Sequence, residues 1–342
     1  MNNLLLNEIL REYEVKRQKA FDEAQKRKEK LSKANPKIAE LDKQLAENSI
    51  KTTKIMLAAD EKEKESLLQN LKKENNKLIR EKKAYIKELC KDSNYLNPQF
   101  ECKMCKDTGF IEKNGETKYC QCLKQALFDK AFNKSNIGNL EKENFETFNI
   151  KVFSDKPDKE KYKSDVSPRA NMEIIQEKAV SFIENFDNSD EKNLLFVGPT
   201  GVGKTFLTNC IAAEVLKQGK TVLYQTAPVM FEKINNEKFD RLEDDEMKIY
   251  DNLLNADLLI IDDLGSENVT DAKITDLFTI INTRLLNQDH KVNKTIISTN
   301  LSVNELFQTY TNRIGSRLAA NYRFLKFYGD DIRLKKAKKM DE

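Results

Sequence analysis

Histidine occurs once in 342 residues, at His290, and tryptophan not at all. A lone histidine in a polar stretch, with no cysteine placed to pair with it, argues against Cys–His nucleophilic catalysis. Long apolar runs are also missing. No stretch approaches the ~20 residues a membrane-spanning helix needs, which excludes such a span and leaves the membrane out of the expected partners. The first residues, Met1-Asn-Asn-Leu-Leu-Leu-Asn-Glu8, have neither a basic n-region nor a small-residue cleavage site, so no secretory signal is expected. The six cysteines are therefore expected in a reducing cytoplasm, where clustered thiols hold metal more often than they form disulfides. A large net charge is missing too, since 59 basic against 56 acidic residues leave +3. Charge of both signs is abundant, at 34% of residues with mean hydropathy −0.68. That is polar for a purely globular chain and predicts a solvated helical part beside a globular one. The length allows two domains.

The chain centres on Gly198-Pro199-Thr200-Gly201-Val202-Gly203-Lys204-Thr205. This fits G-x-x-x-x-G-K-[ST], the phosphate-binding loop. The apolar run Asn193–Val197 before it reads as a buried strand. Leu207, Cys210, Ile211, Val215 and Leu216 after it recur at helical spacing, closed by Gly219. In that context glycines let backbone N–H groups turn around a polyphosphate at a helix N-terminus. Lys204 would reach the β- and γ-phosphates of ATP, and the Thr205 hydroxyl would sit on Mg²⁺.

Residues 1–96 form a first section, rich in Lys, Glu, Leu, Ala and Gln. Leu71, Leu78 and Tyr85 repeat every seven residues, flanked by Leu67 and Leu89, a coiled-coil-like seam. Asn35-Pro36 predicts one helix ending near Ser32 and another starting at Pro36, with a softer break around Asn48 to Thr53. The expected form is two or three helices folded back on one another; a solvated spacer is the alternative. Nothing in this arm is catalytic, so its expected work is protein contact.

Residues 97–132 differ. Cys102-x-x-Cys105 and Cys120-x-Cys122 flank two short strand-like runs joined by Asn114-Gly115, a strong hairpin signal. Folding there carries Cys120 and Cys122 back beside Cys102 and Cys105, the four thiolates a structural zinc ion takes. So small a region gains folding energy from the metal. Cys90 is spare, and Cys210 is a small core residue. A short helix is expected over Leu123–Phe132. Residues 133–168 read as linker, with Phe145, Phe148 and Val152 apolar enough to dock on the globular domain. Pro168 opens a helix to about Phe186, with Ile174, Ile175, Ala179, Phe182 and Ile183 on one face.

Residues 169–342 alternate strand and helix, predicting an α/β domain with a mainly parallel sheet and its ligand at the strand C-termini. Asp257–Asp263 is an apolar strand ending in two carboxylates. Asp262 suits the Mg²⁺ hydration shell, the Walker B role, and Asp263 can polarise attacking water. Lys294–Asn300 ends in polar groups where a γ-phosphate sensor belongs. Between strand two and this Walker B strand, Phe231, Lys233, Lys238, Phe239 and Arg241 can meet single-stranded DNA, or belong to an amphipathic helix packed on the sheet. The tail Arg333–Lys339 is basic.

In that order GPTGVGKT, LLIIDDLG, IISTN and NRIGSRL resemble the AAA+ ATPases of the DnaC/DnaI helicase-loader clade, over about residues 145–335. The helical arm followed by CKMCKDTGF…CQCL resembles the zinc-bearing front domain of DnaI-type loaders. The resemblance implies sensor 1 at Asn300, an arginine finger at Arg317 or its neighbour Arg313, and sensor 2 at Arg333. The chain stops soon after Arg333, so little or no helical lid is expected. Asp263 stands where many AAA+ enzymes carry Glu, which implies a slow ATPase used as a switch. Implied partners are a hexameric replicative DNA helicase, single-stranded DNA and further copies of the chain in an ATP-dependent oligomer. An IstB-like transposition helper is the alternative, and a non-hydrolysing nucleotide-dependent adaptor a second.

Overall fold

The computed structural model describes residues 3–58, 61–92, 94–113, 115–130, 142–239, 249–288 and 291–334. The chain divides into two compact units, Leu10–Thr117 and Met1–Ile9 with Lys118–Glu342. No helix among the described residues is long and apolar enough to cross a membrane.

The front of the chain is helical: α1 Asn3–Ala34, α2 Pro36–Ala58 and α3 Glu61–Cys90. Asn35 separates the first two, its side-chain amide donating to Leu31 O at 3.1 Å, and Pro36 starts α2 where a missing N–H costs nothing. The softer break near Asn48 does not occur. Thr52 and Thr53 donate their hydroxyls to the carbonyls of Asn48 and Ser49 one turn back, which satisfies them without leaving the helix. Asn48 bonds Asn75 at 3.1 Å, Lys82 pairs with Asp42 and Lys37 with Glu81 at 3.2 Å. The start of α2, at Lys37 and Asp42, meets Glu81 and Lys82 of α3, and Asn48 further along meets the earlier Asn75, which makes this an antiparallel hairpin. Its buried positions are Ile38, Leu41, Asn48 and Ile86. Leu67 and Leu89 are 42% exposed, so the flanks of the expected seam face solvent and polar pairs occupy part of its length.

Residues 98–109 form a knuckle before a two-stranded hairpin, β1 Phe110–Lys113 and β2 Glu116–Tyr119. Next come α4 Gln121–Phe128 and, after the undescribed 131–141, α5 Lys159–Tyr162 and α6 Pro168–Glu184. Ser167 caps α6, accepting from Ala170 N. The buried face of α6 carries Met172, Ile175, Ala179, Phe182 and Ile183, whereas Ile174 is 48% exposed. At 100° per residue the stripe takes 172, 175, 179 and 182 and leaves 174 outside.

The sheet holds β3 Asn193–Val197, β4 Val222–Thr226, β5 Leu258–Leu264, β6 Lys294–Thr299 and β7 Tyr322–Lys326 in the order β4-β5-β6-β3-β7. Every pairing is parallel. Parallel strands require crossovers, supplied by α7 Lys204–Lys217, α8 Ala227–Phe239, α9 Ile249–Asn255, α10 Asp271–Asn287, α11 Val303–Thr309 and α12 Thr311–Asn321. Helices cover both faces, so β3 and β6 are buried throughout; β3 is apolar from Leu194 to Val197, whereas β6 has only Ile296 and Ile297 among buried Lys, Thr and Ser. Phe148 and Val152 pack on one face as expected. On the other, Phe231 is 1% exposed and part of the core, so it offers no ring to a nucleic-acid base. Lys238 pairs with Asp276 at 2.6 Å. The Phe239 side chain, Arg241 and the basic tail beyond Leu334 lie outside the described residues.

Candidate nucleotide site

The phosphate loop leaves β3 and enters α7 at Lys204. Gly198, Gly201 and Gly203 have φ of 156°, 76° and 94°, conformations that side chains resist. Close approach adds a second constraint at two of them. A Cβ at Gly198 would lie 2.2 Å from Phe327 O, and one at Gly201 2.1 Å from Asp331 Oδ1. Val202 is buried and anchors the loop, while Thr200 is exposed. Lys204 Nζ donates to Gly198 O at 2.5 Å, Pro199 O at 2.8 Å and Asn300 Oδ1 at 2.7 Å. Burial lowers its pKa to about 8, Asp262 and Asp263 acting against the shift and Arg333 with it. The ammonium is therefore folded inside the loop, short of compensating negative charge.

That charge begins on β5. Between Ile261 and Leu264 the β5–β6 register slips, so Asp262 and Asp263 occupy a bulge. A bulge bends the strand and re-aims side chains; Asp263 takes the left-handed φ of 60°. Its N–H donates to Ser298 Oγ at 3.0 Å, and its carboxylate accepts from the Asn300 amide. Asp262 accepts hydroxyl bonds from Thr205 at 3.2 Å, Tyr224 and Ser298. Lys204, Thr205, Asp262, Asp263 and Asn300 thus form one connected set at the C-terminal end of β3, β5 and β6. Thr205 and Asp262 are the residues that would hold Mg²⁺, a hard cation taking oxygen ligands.

Tyr224 and Ser298 were not among the residues expected in this set. Ser298 stood within the polar end of β6, but only the bulge shows that its hydroxyl serves both aspartates. Tyr224 gave no local signal, because its link to Asp262 depends on β4 lying beside β5.

Arg333 is close enough to Lys204 to lower its pKa. Arg317 and Arg313 stand apart, exposed on α12. Arg317 Nε donates to Asn282 Oδ1 at 3.0 Å, and its guanidinium lies 6.0 Å from the Phe278 ring centre. No contact joins either arginine to the phosphate loop of the same chain among the described residues.

The sulfurs of Cys102, Cys105, Cys120 and Cys122 all lie within 4.8 Å of one another. Zinc bound at about 2.3 Å by four thiolates holds them roughly 3.8 Å apart, so the set fits a tetrahedral ion. Asp107 shapes the knuckle by accepting from Glu101 N at 3.0 Å and Cys102 N at 2.7 Å. Gly109 N–H donates to Cys105 Sγ at 3.3 Å. Cys90 is outside the set. Cys210 is fully buried, and burial pushes its thiol up to about 12, as an inert core residue. Metal analysis of the purified protein is expected to give one zinc per chain. Cys105→Ser should lose it and loosen the hairpin, whereas Cys90→Ser should keep it; zinc-free parent protein would contradict the assignment.

Residues 140–340, well over half of the chain, match the family of IstB-like ATP binding proteins. A Sinorhizobium fredii protein named as an insertion sequence ATP-binding protein is 28% identical over 152 residues, 43% of this chain and 59% of that protein. The chromosomal replication initiator protein DnaA of Campylobacter jejuni is 33% identical over 129 residues, 37% of this chain and 27% of DnaA. The replicative helicase loader DnaC of Escherichia coli is 28% identical over 141 residues, 41% of this chain and 55% of DnaC. The chain therefore spans 27% to 59% of the length of these relatives. A crystal structure of the DnaC helicase loader, 22% identical, covers 56% of this chain and 99% of its own with a TM-score of 0.43. With Gly198–Thr205, the bulged carboxylates of β5 and Asn300 gathered at one parallel sheet, this chain belongs to the family of IstB-like ATP binding proteins.

Proposed function

We propose that this protein loads the replicative DNA helicase onto DNA, its AAA+ domain coupling ATP binding and slow hydrolysis to single-stranded DNA and its arm gripping the helicase. The observation that carries this reading is the division of chemistry along the chain. Every group of the nucleotide set lies between Gly198 and Arg333, while a helical hairpin and a four-cysteine knuckle precede it. Such a front offers contact surface and no reaction, which suits an adaptor to a large partner. Zinc held by Cys102, Cys105, Cys120 and Cys122 would supply its rigidity. Arg317, exposed and unconnected to its own loop, serves as the finger that reaches a neighbouring copy's γ-phosphate, so the ATPase works as an oligomer.

A transposition helper is the second reading, favoured by the family match and by the insertion sequence relative at 28% identity. A loading assay separates the two. With a closed helicase ring and circular single-stranded DNA, the full chain and ATP should start unwinding. Absence of unwinding, together with stimulated strand transfer by a transposase, would favour the second reading. Contacts to DNA phosphates release counterions, so DNA retention should fall steeply with salt.

A further inference from the structure

Beyond β7 the chain runs back across the phosphate loop. Phe327 N donates to Val197 O at 2.7 Å, and Ile332 N to Gly201 O at 2.9 Å. The Asp331 carboxylate lies against Gly201 and accepts from the N–H groups of Arg333 at 2.8 Å and Leu334 at 3.4 Å. It therefore shapes the turn that aims Arg333. This strap, residues 327–333, is held from outside by residues far upstream in the chain. Lys161 Nζ pairs with Asp330 at 2.5 Å, and Tyr162 donates its hydroxyl to the same carboxylate at 3.1 Å. The Tyr162 and Tyr328 rings stack with centres 5.6 Å apart. The Tyr328 hydroxyl lies 3.0 Å from Ser164 Oγ and donates to Val166 O at 3.1 Å. Gly329 between them has φ 148°, which lets Tyr328 and Asp330 reach this clamp while Asp331 faces the loop.

The clamp is built for its place. Asp158 caps α5 by accepting from Lys161 N at 2.9 Å, and Lys163 closes it in the left-handed conformation. Tyr162 and Tyr328 are 9% and 8% exposed, so the stack excludes water, while Lys161 is a half-exposed surface cation. Apart from Arg333 itself, none of these groups belongs to the nucleotide set.

We infer that Lys161, Tyr162 and Ser164 are positioning residues that hold the 327–333 strap over the phosphate loop, and that they set the rate of nucleotide release through Arg333. Release then requires the strap to lift, and the clamp resists lifting.

The test is stopped-flow release of fluorescent ADP from the full chain. Tyr162→Ala removes an aromatic stack and a hydrogen bond, together about a tenfold acceleration of release. Arg333→Ala should accelerate release similarly, and the double variant should be no faster than either single one. Lys161→Ala should give a smaller acceleration, about threefold, reversed when Lys161→Asp is combined with Asp330→Lys. Because Lys161 is on the surface, this arm stays readable if Tyr162→Ala fails to fold. Unchanged release in the Lys161 and Tyr162 variants would overturn the inference. So would multiplying effects of Tyr162→Ala and Arg333→Ala, since the clamp would then act independently of that arginine.

Discussion

Lys204→Ala binds ATP about 100-fold more weakly than the parent, the loss expected when a charge-assisted contact to phosphate disappears. The ammonium already sits inside the loop, on Gly198 O, Pro199 O and Asn300 Oδ1. Burial lowers its pKa to about 8, and the negative charge of Asp262 and Asp263 offsets that only in part, so further negative charge is favoured. Polyphosphate supplies that charge, so ATP gains from the lysine's burial. Asp262→Asn separates binding from chemistry. It keeps the side chain's size but removes the charge that Mg²⁺ needs, and its amide nitrogen cannot accept at one of the two positions that take hydroxyl bonds from Thr205, Tyr224 and Ser298. Binding should stay within about threefold, and Mg²⁺-dependent hydrolysis should fall by about 100-fold or more. Calorimetric titration and phosphate release read the two quantities. Parental hydrolysis by Lys204→Ala would refute the phosphate-loop assignment.

Arg317→Ala retains ATP affinity and loses hydrolysis by about 1,000-fold, the effect of removing an arginine finger. In one chain the Arg317 guanidinium meets the edge of α10, through Asn282 and Phe278, so its loss should leave that chain's own site intact. Mixing Arg317→Ala with Lys204→Ala should restore part of the activity, because one supplies a working phosphate loop and the other a working finger. Parental hydrolysis by Arg317→Ala would exclude the finger at this position and turn attention to Arg313, one helical turn away. Failure of the mixture alone would argue that the arginine acts within its own chain.

Most of the nucleotide domain was legible because its signals are local. The loop motif between an apolar run and a helical stripe marks β3 and α7, and the apolar runs before Asp262 and Ser298 mark β5 and β6. The fifth strand was not legible. Tyr322–Lys326 follows α12 directly, with no glycine or proline between, and its Arg and Lys dilute the apolar pattern. It exists because β3 has an open edge, which no window of sequence reports. The same holds for the hydroxyls of Tyr224 and Ser298 on Asp262, which meet through sheet order and a bulge. In the arm, Asn35-Pro36 marked its break through capping chemistry. Asn48–Thr53 misled because Thr hydroxyls can be satisfied on the helix. Phe231 stayed open in the sequence because an aromatic beside lysines looks alike whether it faces DNA or the core, and the structure places it in the core.

The most direct measurement is light scattering on a size-exclusion column of the full chain mixed, with ATP, with the purified hexameric replicative helicase of the same organism. The account predicts co-elution as a complex heavier than the helicase hexamer, lost when Cys102 and Cys105 are replaced by Ser. A helicase hexamer that elutes alone, while an insertion sequence transposase co-elutes with the chain under the same conditions, would contradict it.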